Sequence, residues 1–80
     1  MFRTLVKTEA LAIDDQTYCV RYFEVRTLRG ARRYSAEVLL GPEDRIILDD
    51  DSITTLEAKT TRLVPATVYS RLLAGRATAA

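Results

Sequence analysis

The sequence predicts an α+β fold: a bent antiparallel β-meander of three to four strands followed by one or two short C-terminal helices. Two runs rich in Tyr, Val, Phe and Leu, Thr17 to Leu28 and Arg33 to Leu40, flank a short segment holding Gly30, the pattern of a β-hairpin. Beyond Asp49 the apolar positions Ile53, Leu56, Leu63 and Val64 recur at helical spacing. The two prolines, Pro42 and Pro65, stand where a turn and the first turn of a last helix accept them.

Residues 2–13 alternate imperfectly and end at Asp14-Asp15-Gln16, which predicts a first strand turning into the hairpin. Within the hairpin, Cys19, Phe23 and Val25 share one face of the first run, and Tyr34, Ala36, Val38 and Leu40 share one face of the second. Joining these two apolar sets pairs odd positions with even ones. An even loop is then required, Arg29-Gly30 or Gly30-Ala31, whereas a three-residue loop at this tip sets Phe23 opposite Glu37. The other face, with Val20, Tyr22, Glu24, Arg26, Ser35, Glu37 and Leu39, is mixed, and Arg21 interrupts the apolar one. Gly41-Pro42-Glu43-Asp44 reads as a turn and Arg45 to Leu48 as a short fourth strand.

Residues 53–63 admit two readings. Asp49, Asp50, Asp51 and Ser52 offer capping oxygens and negative charge at a helix start, and Lys59 and Arg62 fall toward its end. Thr54, Thr55, Thr60 and Thr61 are weak helix formers, and Leu56, Ala58 and Val64 also alternate as a strand does. The helix accounts for more of the pattern. The strand alternative gives a small five-stranded barrel of the Sm-like or SH3-like kind. Pro65 then opens a last helix, 65–74, with Val68, Tyr69, Leu72 and Leu73 as its stripe and Gly75 as its C′ residue.

With 80 residues, the chain forms one small β-rich domain, residues 1–76, with 77–80 expected to fray. It holds no His, no Trp and a single Cys, which excludes imidazole catalysis, His metal sites and intramolecular disulfides. A domain of this size buries only about 60% of its unfolded surface, so a homo-oligomer is expected to supply further burial. The lone thiol suits a reducing compartment. Neither the apolar core of a signal peptide in Phe2–Lys7 nor a run approaching the roughly 20 residues of a membrane span is visible, so a cytoplasmic chain without membrane contact is expected.

Net charge is only +1, yet charge is blocked along the chain. Residues 21–33 set five arginines against Glu24; residues 43–57 set six acids against Arg45. The run Asp49-Asp50-Asp51 lacks the spaced ligands, central Gly and final Glu of a calcium loop, and reads as a cap rather than a metal site. Cys19, assigned to the apolar face and without a base, reads as a small hydrophobe. Glu24 and Glu37, assigned to one hairpin face, could be an acid and base, though two solvated charges explain them as well. Gly30, Gly41 and Gly75 match no phosphate-binding loop, so no cofactor is expected.

The remaining feature is the arginine-rich hairpin. Arg26, Arg29, Arg32 and Arg33 near its tip, with Tyr22 as a stacking surface, suit contact with RNA or DNA. The competing explanation is an exposed hairpin that protects its edges with charge. The expected function is a non-enzymatic binding module contacting nucleic acid through this hairpin. The alternative is a homo-oligomeric protein-interaction domain with Val20, Tyr22 and Leu39 at its interface.

Overall fold

Each strand ends where the sequence supplies residues able to turn. The computed structural model describes residues 2–79, with side chains from Phe2 to Ala74. Strand β1 (Phe2–Ile13) reverses at Asp14-Asp15, where Asp14 takes φ 53°, a left-handed conformation that Asp tolerates. Strands β2 (Gln16–Arg26), β3 (Arg32–Gly41) and β4 (Asp44–Asp50) follow, and Pro42-Glu43 turn the chain between the last two. All neighbours are antiparallel, in the order β1-β2-β3-β4. The sheet stays open, so no barrel forms, and residues 53–63 are helical.

The β2–β3 register differs from the one expected from the apolar runs. Val20 faces Val38, Tyr22 faces Ala36 and Phe23 faces Ser35 rather than the Glu37 expected for a three-residue loop, because the tip closes one residue earlier, pairing even with even and odd with odd. The cause is the loop. Thr27 N–H donates to Ala31 O and Gly30 N–H to Thr27 O, both at 3.0 Å, which closes a three-residue tip, Leu28-Arg29-Gly30, with Gly30 at φ 81°. The Thr27 hydroxyl accepts from Ala31 N–H at 3.1 Å and reinforces the closure. An odd loop turns the mixed face inward, and Cys19, expected in the core, is exposed.

One helix, α1 (Ile53–Ala79), covers the inward face; of the one or two short helices expected it is the single one, longer than expected because it runs on through Pro65. Ser52 caps it: its hydroxyl accepts from Thr55 N–H at 3.4 Å, and Leu56 N–H donates to Ser52 O at 2.9 Å. Ile53, Leu56, Thr60, Val64 and Val68 recur at three and four residues and meet Val20, Tyr22, Ala36 and Val38 of the sheet. Each fully buried apolar side chain of this set stabilises by roughly 1.5–3 kcal/mol. Thr60, Thr61 and Thr67 fit because their hydroxyls donate to the carbonyls of Leu56, Glu57 and Leu63, at 2.8, 3.0 and 2.9 Å. Among the described residues no helix is long and apolar enough to cross a membrane. The side chains of the 77–80 tail lie outside the described residues.

Pro65 does not break α1, although it lacks the N–H that the Thr61 carbonyl would accept. Its neighbours Val64 and Val68 lie buried on the sheet, and that packing holds the helix through the missing bond. Replacing Pro65 by Ala restores the donor, so Pro65→Ala is expected to stabilise the fold by about 1–3 kcal/mol in urea denaturation. A loss of stability would mean instead that packing of the pyrrolidine ring outweighs the hydrogen bond.

Candidate functional site

Among the described residues, the sheet face turned away from α1 has no covering layer. The register places Arg3, Leu5, Arg21, Phe23, Val25, Glu37, Leu39, Arg45 and Ile47 on it. Leu5 joins this face because a bulge between Leu5 and Lys7 switches the parity of β1, leaving Lys7, Glu9 and Leu11 on the helix side. Leu5, Leu39 and Ile47 are each about half exposed. Cys19 sits on the same face, opposite Ala10 in register.

At the centre lies Glu37, only 5% exposed on a face that no other described element covers. Three long arginines roof it. Arg21 Nη2 donates to Oε1 at 2.5 Å and Arg3 Nη2 to Oε2 at 3.1 Å, while Arg45 Nη1 stands 3.9 Å from Oε2. The Arg3 guanidinium also stacks on Phe23, 3.7 Å from the ring centroid, with Arg21 at 5.9 Å. Burial pushes the Glu37 carboxyl up, but the hydrogen bonds and charges of Arg21 and Arg3 outweigh it and hold the carboxyl below its ordinary value. Glu37 is therefore ionised at neutral pH, and three guanidinium groups share one negative charge. Such a cluster retains positive charge to offer an oxyanion. Arg3, Val25, Thr27, Arg33, Ser35 and Asp49 line an adjoining depression.

The predicted hairpin arginines do not form one patch. Arg26 and Arg32 stand on the helix side and share Glu24, at 3.1 and 3.5 Å. Arg33 is on the open side, bound to Asp51 at 3.1 Å. Arg29, at the tip, has no ion pair among the described residues. Tyr22 is 1% exposed and packed beneath α1, so its ring is closed to stacking. Burial raises its phenol above the ordinary value, opposed by a hydrogen bond with Thr60. Val20 is equally buried in the intrachain core, which leaves Leu39 as the one member of the expected interface on an open surface. Glu24 and Glu37 lie on opposite faces and form no acid–base pair. Of the three aspartates, Asp50 binds Lys59 at 3.0 Å, Asp51 binds Arg33, and the Asp49 carboxylate has no ion pair among the described residues. Among the described residues no group of three or more His, Cys, Asp or Glu is placed to hold a metal ion.

The arginines that do converge come from three strands. Arg3, Arg21 and Arg45 lie too far apart in sequence to form a charge block, and only the strand register unites them. One signal was present, since Arg21 stands in an apolar alternation beside Phe23. Fold and face together define a four-stranded antiparallel meander with one helix behind it and an arginine-bearing platform in front. Compared with known protein families, characterised proteins and solved structures, the chain matches none.

A carboxyl whose folded pKa is depressed contributes stability above its unfolded pKa and loses it as pH falls through the folded value. The Glu37 contribution is thus expected in full above about pH 5 and to fade below about pH 4. Glu37→Gln is expected to cost about 1–3 kcal/mol at pH 7 and to flatten the acid limb of the stability curve, read by thermal melts from pH 3 to 7. An unchanged acid limb would place the acid sensitivity elsewhere.

Proposed function

We propose that the chain is a non-enzymatic binding module that takes single-stranded RNA or DNA across the open face of its sheet. The observation supporting this reading is the charge at the centre of that face, where Arg3, Arg21 and Arg45 converge on the single carboxylate of Glu37. Each arginine side chain is about half exposed, and its guanidinium keeps donors free for phosphate. Between them, Leu5, Leu39 and Ile47 and the outer plane of Arg3, stacked on Phe23, offer apolar and π surfaces for unpaired bases. Arg29, free at the hairpin tip, extends the basic surface beyond the sheet. A reducing cytoplasm is the setting that suits the exposed free thiol of Cys19 on this face.

About three phosphate contacts on a single strand give a slope near −2 for log K against log salt, at about −0.7 per contact. Fluorescence anisotropy with a labelled oligothymidylate, between about 20 and 200 mM salt, measures it. Arg3→Ala is expected to make the slope shallower by about 0.7, with a thermal melt to show that the fold persists. Absence of binding at the lowest salt, where the attraction is strongest, rejects the reading.

A further inference from the structure

The sheet has two free edges, and they are not alike. The β1 edge is interrupted by the bulge between Leu5 and Lys7 and carries Lys7 and Glu9, two devices that discourage a further strand. The β4 edge runs from Arg45 to Asp50 without irregularity, with the Asp49 carbonyl accepting from Lys59 Nζ at 2.9 Å. Its sequence reads nearly the same in hydropathy from either end, with opposite charges at the matched positions Arg45 and Asp49: Asp44, Arg45, Ile46, Ile47, Leu48, Asp49, Asp50. On the open face the order is Arg45, Ile47, Asp49, one cation and one anion on either side of an exposed apolar residue.

We infer that the β4 edge pairs antiparallel with the β4 edge of a second copy, about a two-fold axis at Ile47. Such an axis sets Arg45 of each copy opposite Asp49 of the other and Ile47 opposite Ile47, and on the helix side it sets Ile46 opposite Leu48. Both charged partners are available: Arg45 has only the 3.9 Å approach to Glu37, and the Asp49 carboxylate has no ion pair among the described residues. The one like-charged match, Asp44 opposite Asp50, is neutralised within each copy, by Arg71 at 2.7 Å and by Lys59 at 3.0 Å.

Those two ion pairs also fix the direction of α1. Lys59 lies at the Asp50 end of β4 and Arg71 at the Asp44 end, so the helix runs antiparallel to β4. Across the axis the two helices lie side by side and antiparallel, about 10 Å apart when each is centred over its own β3 and β4. From the Lys59 flank, helical spacing leads to Leu63, Ala66 and Ser70, whose small residues permit that approach. The result is one continuous sheet of eight strands whose open face carries both arginine clusters.

Sedimentation velocity is expected to give a dimer at about 100 μM, and a clean monomer there overturns the inference. Arg45→Asp or Asp49→Arg alone is expected to weaken association on the order of tenfold, because each turns two attractive cross-strand pairs repulsive. The double variant, with the charges exchanged, is expected to restore it. Since Arg45 also approaches Glu37, a test without charge runs alongside. In a Cys19→Ser background, Ile47→Cys brings two thiols together at the axis, within the Cα separation of a disulfide, and is expected to give a covalent dimer on mild oxidation. Leu5→Cys, on the same face at the far edge, is expected to remain monomeric under reducing-free gel analysis. Equal cross-linking at the two positions, or none at Ile47→Cys, overturns the inference.

Discussion

The closure of the β2–β3 hairpin sets the rest of the structure. Because Thr27 and Ala31 bond across a three-residue tip, Val20, Tyr22, Ala36 and Val38 all point to one side. A loop one residue longer or shorter would send one strand's set to the opposite face, and α1 would then meet Phe23 and Arg21 with its stripe of Leu56, Thr60 and Val64. Gly30 makes the closure possible at φ 81°, a conformation where other L-residues are strained. The bulge in β1 completes the arrangement by turning Lys7 to the helix side, where its ammonium binds Glu57 at 2.5 Å and stands 5.0 Å from the Tyr22 ring.

The same register creates the unusual position of Glu37. A carboxylate is rarely buried without partners, and here the partners are long side chains folded over it rather than a second layer of backbone. The arrangement is mutually dependent. Without Glu37, Arg3, Arg21 and Arg45 would repel one another across a few ångströms; without them, the carboxylate would be desolvated and unpaired. Holding three guanidinium groups in one place also lowers the entropy a ligand anion must remove on binding. Stability and the proposed binding surface therefore share the same residues.

Much of the fold is legible in local chemistry. Asp14-Asp15, Gly30 and Pro42 mark all three turns, and Ser52 ahead of the Ile53, Leu56, Val64 spacing marks the helix start. What local chemistry does not carry is parity. The apolar run of Cys19, Phe23 and Val25 is as convincing as that of Val20 and Tyr22, and only the hydrogen bonds of the tip decide between them. Pro65 fails as a stop signal for a related reason, since burial of Val64 and Val68 outweighs the single lost hydrogen bond. The arginine cluster was the least visible feature because its members, Arg3, Arg21 and Arg45, are united by pairing across three strands.

A sheet with one covered face must resolve the exposure of the other. Stacking a second copy onto the open face would bury Leu5, Leu39 and Ile47, but it would also press two arginine-rich clusters together and desolvate them, a repulsion that grows as water is excluded. Pairing through β4 avoids that conflict. It would pair edge backbone groups other than the Asp49 carbonyl, which Lys59 already bonds, bury apolar surface beside the axis and between helices, and use Arg45 and Asp49 as attractive partners. The open face would then keep Arg3 and Arg21 in contact with solvent while Arg45 pairs across the edge, and the clusters of two copies would stand along one continuous surface. For a chain this small, lateral extension of the sheet is the mode of self-association that would leave Arg3 and Arg21 of the proposed anion-binding surface free.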